Sequence, residues 1–280
     1  MPVDKPQPLM VNNQAYYTLT SYEPVQVTVH VAHPTPEEID MGLEAMLGDL
    51  GATPADLNNP AWISEHFEGL SSVMELREAM RQELELMNME IATSQKAAAC
   101  VDELRKRLRQ SVTPQRLNDA RELVDHSFAE SLDADGLTVA QFMQQTGTTE
   151  AMLDAMLEAR SRDTAEGGAA LLAYAREKKI RVDESELPEL MGMDPKDAAQ
   201  VVAGSRAAGQ YERLMEGALL TKATKIVVDE SICTYEHETP EEARARVAEF
   251  VRYRDMVQGQ AEDDSSSEPP VQGKTGFKLV

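Results

Sequence analysis

The stretch "SSVMELREAMRQELELMNMEIATSQKAAACVDELRKRLRQSVTPQRLNDARELVDHSF", Ser71 to Phe128, decides the fold. Within it Val73, Leu76, Met80, Leu84, Met87, Ile91, Ala98, Val101, Leu104 and Leu108 recur mostly at three- and four-residue steps, with no Gly or Pro among them. That is the apolar stripe of an α-helix. Ser72 and Glu75 have the spacing of a capping box, glutamates crowd the first half and arginines the end, as the helix dipole prefers. At ~1.5 Å per residue this helix reaches roughly 55 Å. Thr113 and Pro114 then supply an N-cap and a first helical residue, and Leu117, Leu123, Val124 and Phe128 form the stripe of a second helix. Two helices joined so tightly are expected to lie antiparallel, as a helical hairpin projecting like an arm.

The rest of the composition agrees with a helical chain. Of 280 residues 42% are hydrophobic but only 5% aromatic, so the apolar content is mostly Ala, Leu, Val and Met, which suit helix faces better than sheet cores. The net charge of -22 repels phosphate backbones and anionic lipid surfaces, which argues against nucleic-acid or membrane partners. The basic cluster Arg105, Lys106, Arg107 and Arg109 falls at a helix C-terminus, where it complements the dipole. Cys100 and Cys233 belong to no metal or redox spacing, and the first residues hold no apolar run of the signal-peptide kind. A soluble, cytoplasmic protein is expected.

Working outward, residues 1–24 are rich in Pro, Asn and polar groups and are expected to be a flexible N-terminal segment. "VQVTVHV", Val25 to Val31, alternates as a strand does, and Thr35, Pro36 and Glu38 open an amphipathic helix. Residues 25–56 thus form a small strand and helix piece. A helical domain follows over 57–257, with a short helical turn ending at Gly69, a short helix capped near Thr138 and stopped at Gly147, and a long helix begun by Thr148 or Thr149. The Gly167-Gly168 pair in that helix suggests a kink. Two further helices separate near Gly204 or Gly209, and a last capped helix starts at Thr239. Residues 258–280 read as a disordered C-terminal tail ending in the apolar "FKLV".

The order of these elements from about Leu57 to Val228 resembles the C-terminal chaperone region of trigger factor. "ADLNNPAWISEHFEGLSSVMELREAMRQEL" is similar to the segment leading into that family's first arm helix, and "VTPQRLNDARELV" to the start of the second. "GLTVAQFMQQTGTTEAMLDAMLEARSRDTAEGGAALLAYAREKKIRVDESEL" resembles its next long helix with a preceding Thr-Gly turn. "GQYERLMEGALLTKATKIVV" resembles its closing helix and final Val-rich strand. What the resemblance implies is a mostly α, elongated multi-helix body with a long helical-hairpin arm, beside the small N-terminal strand and helix piece. The family's Gly-Phe-Arg-x-Gly-Lys ribosome-docking sequence does not occur here, and between Val31 and Leu57 there is no room for an FKBP-type isomerase domain. Residues 25–56 resemble either the first strand and helix of the ribosome-binding domain or a remnant of the isomerase domain.

No catalytic, cofactor-binding or metal site is expected. His30 and His33 lack a third ligand at suitable spacing. "GKT" at Gly273 has Glu268 where a phosphate loop needs Gly, and no nucleophile elbow or His-Glu-x-x-His helix occurs. The 15 methionines carry the remaining signal, because unbranched, polarizable side chains repack around many apolar partners. Met80, Met87, Met89, Ile91, Leu123, Phe128, Met152 and Met156 are the candidate client-binding residues, with Met89, off the main stripe, expected to be exposed. The plain alternative is that the methionines fill helix seams.

Three functions follow, in order. The first is an ATP-independent holdase whose partners are unfolded or nascent polypeptides. The second is an assembly protein clasping one folded partner or a second copy of itself. The third, implied only by the family, is peptidyl-prolyl isomerisation.

Overall fold

The computed structural model describes residues 5–11 and 14–264, with side chains through residue 252 apart from Gln14. The chain is mostly α: ten helices and four short strands occur among the described residues. Its contacts divide it into two units, each made from two pieces of chain: Met1–Val27 with Lys96–Cys233, and Thr28–Gln95 with Thr234–Val280. This differs from the linear order of segments expected from sequence, because the long helix α3 (Val73–Lys106) and the strands β3 (Gln26–Val31) and β4 (Ile232–His237) each run through both units.

The strands β3 and β4 pair with each other. The Ile232 N–H donates to the Val25 carbonyl at 2.9 Å and the Glu238 N–H to the Val31 carbonyl at 2.9 Å, so the two run in the same direction. Along β3 the side chains alternate exposed and buried, with Val27, Val29 and Val31 inward.

In the first unit the described residues of the N-terminal segment, 5–11 and 14–24, are held by pairing and burial, against the expectation of a flexible 1–24. Strands β1 (Leu9–Val11) and β2 (Gln14–Tyr16) pair antiparallel, and Tyr17 and Leu19 are buried. The cause is backbone pairing with the chain just after α3. The Thr20 N–H donates to the Arg107 carbonyl at 2.8 Å, the Arg109 N–H to Thr18 at 3.0 Å and the Ser111 N–H to Pro6 at 2.9 Å. Tyr17 and Leu19 then join Cys100, Leu104 and Leu108 in one core with α6 (Glu150–Glu177) and α9 (Tyr211–Glu230). Two members of the basic cluster are anchored: Arg105 binds Asp163, and Arg107 donates to the Glu23 and Pro24 carbonyls.

Helix α6 runs through Gly167-Gly168 without a break, and the pair makes room for a close approach. A Cβ on Gly167 would stand 2.9 Å from Val101 Cγ1, and one on Gly168 would stand 3.1 Å from Arg116 Nη1. Small residues there let helices close in, as the fully buried Ala169 and Ala170 also do. The helix α4 (Pro114–Ala134) is capped by Thr113, whose hydroxyl accepts from the Arg116 N–H at 3.3 Å, as its sequence implies. It packs along α6, with Val124 against Leu153 and Leu157. The short α5 (Val139–Thr146) closes that cluster by setting Phe142 edge-on to Phe128 at 5.3 Å between ring centroids.

A last cluster of this unit joins α7 (Leu187–Met191), α8 (Pro195–Ala207) and α9 through Leu187, Val202 and Ala218. The segment "TKATKIVV" is the end of α9 and not a strand, because Ala223 and Val227 repeat one turn apart on its buried face.

In the second unit, α1 (Pro36–Asp49) carries the capping box read from sequence: the Thr35 hydroxyl accepts from the Glu38 N–H at 3.2 Å and the Glu38 carboxylate accepts from the Thr35 N–H at 2.9 Å. Its Ile39 and Leu43 pack with Leu76 of α3, together with Leu57 and with Phe67 and Leu70, which follow α2 (Pro60–His66). The seam is tight at Gly42, whose Cβ, if present, would stand 2.9 Å from Met80 Sδ. Helix α10 (Pro240–Asp264) starts at Thr239, with a reciprocal Glu242 bond. It extends into the part of the chain expected to be a disordered tail; residues 265–280 of that tail lie outside the described residues.

Candidate functional site

Helix α3 has an outer face in the second unit that nothing there covers completely. Ser72 begins it as expected, its hydroxyl accepting from the Glu75 N–H at 3.2 Å, but the Glu75 carboxylate reaches back to the Ser71 N–H at 2.7 Å. Along this face lie two grooves. One, of about 650 Å³, is walled by Ile39, Leu70 and Met74; the other, of about 540 Å³, by Val31, Pro34, Leu86 and Met89, with His33 and His237 at its side. Gln82 borders both. From Met74 to Met89 the run is fifteen residues, or ~22 Å at ~1.5 Å per residue.

Two apolar side chains near the ends of this run stand open to solvent, while Leu76 between them is buried. Met74 is 77% exposed and Leu86 73%. Of the charges between them, Arg77, Glu78, Arg81 and Glu85 are paired. Arg81 donates from Nε and Nη2 to the two Glu78 oxygens at 2.9 and 2.6 Å and also holds Glu85, while Arg77 binds Asp40. The Arg81 guanidinium and then the Gln82 amide hold the Glu78 carboxyl down at about 2. Exposed ion pairs of this kind contribute little stability, but they engage both arginines of the groove.

The wall of the second groove is fixed from behind. The Asn88 amide donates to the Ala32 carbonyl at 3.1 Å, and the His33 N–H donates to Glu238 Oε2 at 3.0 Å. Arg246 of α10 gathers the rest: Nη1 to Glu38 Oε1 at 2.6 Å, Nε to Glu238 Oε1 at 3.0 Å, and Nη2 to the His33 carbonyl at 3.2 Å. Burial raises the Glu38 pKa, but the bonds from Arg246 and Thr35 outweigh it and hold the carboxyl below its ordinary range.

The eight residues singled out in the sequence divide between the units. Met80 is half-buried on the α1 seam, as the plain alternative had it. Met87 and Ile91 are exposed at 43% and 38%. Met89, expected to be exposed, is half-buried because it forms the floor of the second groove. In the first unit Leu123, Met152 and Met156 are exposed on the α4 and α6 pair, and Phe128 is half-buried against Phe142. Leu86 was missed. Its signal was there: a leucine off the apolar stripe, between Glu85 and Met87, has no seam to fill. Also missed was the edge strand β1, where Leu9, Met10 and Val11 are all exposed.

His30 is 80% exposed at its side chain and stands 3.7 Å from Glu236. Among the described residues no group of three His, Cys, Asp or Glu is placed to hold a metal ion, and no helix is long and apolar enough to cross a membrane.

Comparison with known proteins covers part of the chain. Residues 72–200 match the family model of the bacterial trigger factor protein C-terminus, a span that begins at the cap of α3 and includes α4, α5 and α6. No curated protein matches the chain. Among solved structures, one of a hypothetical Mycoplasma protein is similar at 11% identity and a TM-score of 0.38, covering 82% of this chain and 95% of that one. A TM-score that low carries no argument. The resemblance to the trigger factor C-terminal region, with its mostly α fold, therefore stands over residues 72–200, and at the level of that family it supports a chaperone-like role.

Proposed function

With residues 72–200 similar to the trigger factor C-terminus as the premise, we propose that this chain is a cytoplasmic, ATP-independent chaperone, one that binds exposed apolar segments of non-native polypeptides and catalyses nothing. The observation that carries this reading is the exposure of Met74 and Leu86 on the stretch of α3 from Met74 to Met89, with grooves on its flank and its arginines already paired. A ~22 Å run accommodates about seven extended residues at ~3.3 Å each. Burying about 400 Å² of apolar surface there contributes about 10 kcal/mol. Ordering seven client residues costs about 7–14 kcal/mol. The two nearly cancel, so each contact is weak and exchanges quickly, as a holdase requires. Methionine suits the task because its side chain adapts to differently shaped guests.

The test is suppression of aggregation of a refolding substrate at stoichiometric amounts, comparing the native chain with Met74→Ser/Leu86→Ser. Both side chains are mostly exposed, so the variant keeps its Tm while its suppression falls at least twofold. No suppression by the native chain, or equal suppression by the variant, overturns the reading.

A second reading, assembly with one folded partner or a second copy, is favoured by β1. Among the described residues this strand pairs on one edge only, and its three residues are apolar and exposed, which invites strand addition. Light scattering that shows a stable dimer, with no uptake of a hydrophobic dye, would select it.

A further inference from the structure

Resting on that reading, we propose that residues 271–280, "VQGKTGFKLV", occupy the α3 groove when no client does, as a competitor built into the chain.

Charge points to this occupant. Between residues 28 and 95 there are thirteen Asp and Glu side chains, and the only basic ones are Arg77 and Arg81. Both arginines are already engaged, Arg77 with Asp40 and Arg81 with Glu78 and Glu85, and Arg246, which reaches the wall from α10, is held by Glu38 and Glu238, so the surroundings of the groove carry an excess of negative charge. Residues 271–280 are the reverse: they hold Lys274 and Lys278, no acidic residue, and the apolar Phe277, Leu279 and Val280. In a chain with a net charge of -22, a segment both apolar and basic complements this face on both counts.

Reach points the same way. The Arg246 guanidinium touches the His33 carbonyl at 3.2 Å, so the second turn of α10 lies beside the groove wall. From Arg246 to Asp264 the helix runs eighteen residues, ~27 Å. From Asp264 to Phe277 the chain has thirteen residues, up to ~43 Å when extended at ~3.3 Å each. The return is within reach, and a segment tethered this closely acts at an effective concentration on the order of 1 mM. If it binds the groove with a Kd of about 0.1 mM, it fills it about ten to one and weakens client binding about tenfold.

The experiment compares the native chain with Phe277→Ser/Leu279→Ser. One readout is methyl NMR of [13C-methyl]methionine-labelled protein, following Met74 and Met89; the other is the affinity for fluorescein-labelled, reduced and carboxymethylated α-lactalbumin, a permanently unfolded probe. The variant is expected to shift the Met74 and Met89 methyls, to bind the probe about tenfold tighter, and to return to the native spectrum when a synthetic peptide of residues 271–280 is added. Unmoved methyls overturn the proposal. If the probe still binds both chains equally, the chaperone reading survives that result. Methyls that respond in chains that both ignore the probe keep the docking and remove the chaperone reading. Methyls that move with protein concentration alike in both chains show a second copy in the groove, which also overturns the proposal.

Discussion

Replacing Arg246 by Met keeps the length of the stem and removes every polar contact of the guanidinium. In the native chain that group reaches two carboxylates and one carbonyl: Glu38 at 2.6 and 3.3 Å, Glu238 at 3.0, 3.2 and 3.1 Å, and the His33 carbonyl at 3.2 Å. Its side chain is 39% exposed, but those of Glu38 and Glu238 are only 23% and 16% exposed. Breaking a fully buried pair costs 3–5 kcal/mol and an exposed one less than 1, so a site between these limits is expected to cost about 2 kcal/mol. That corresponds to a Tm lower by about 5 °C at pH 7. The loss depends on pH with a definite sign. The folded pKa of Glu38 lies below its ordinary 4.5, so its share of the stability is present above that value and disappears as pH falls through the folded one. Thermal melts of Arg246→Met and native protein at pH 7, 5 and 3 therefore converge on acidification. Arg81→Met, which breaks only exposed pairs, is expected to melt close to native protein at pH 7. The reasoning fails if Arg246→Met melts within about 1 °C of native at pH 7, or if the gap is as wide at pH 3.

Gly167→Ala is expected to cost about 1–3 kcal/mol in urea unfolding, since its Cβ meets Val101 at 2.9 Å. Gly217→Ala, on α9 with nothing within 4 Å, stabilises by about 0.5–1 kcal/mol and serves as its control. Leu19→Ala, at a site only 3% exposed, costs about 2–5 kcal/mol, where a flexible N-terminal segment would give no change. Burial, and next the bond to Glu230, push the Tyr174 phenol up to about 12. Its contribution to stability is therefore full below the ordinary value of 10 and lost as pH climbs towards 12; ultraviolet titration of Tyr174→Phe should lack the highest-pH component of native protein.

What could be read from the sequence was local. Thr35 with Glu38, Thr113 with Pro114, Thr149 and Thr239 each cap a helix within three residues of themselves, and they do so in the structure. The length of α3 was legible for the same reason, as a periodicity without interruption. What was not legible depends on partners far along the chain. Residues 1–24 look polar, yet Tyr17 and Leu19 are buried because the backbone around them pairs with residues 107–111. The packing of α4 along α6 rests on Val124, Leu153 and Leu157, which are some thirty residues apart. The Val-rich end of α9 is a strand in the family it resembles, yet here it continues the helix its residues predict, with Ala223 and Val227 buried in the first unit's core. At the candidate site, Met74, Met87 and Ile91 lie open as their positions allowed, whereas Met89 became a groove floor through the segment Val31–Pro34, held over α3 by Asn88.

The pairing of β3 with β4 sets an order of events during synthesis. Residues 25–31 wait for residues 232–238 before their backbone groups are matched, and so do Glu38 and His33 for Arg246. At about 5–20 residues per second, that is a delay on the order of 10–40 s. Through it the nascent chain carries an unmatched strand of alternating valines, the sort of feature that invites misassociation. A protein read here as a guardian of unfinished chains is thus, for most of its own translation, an unfinished chain of the kind it would guard.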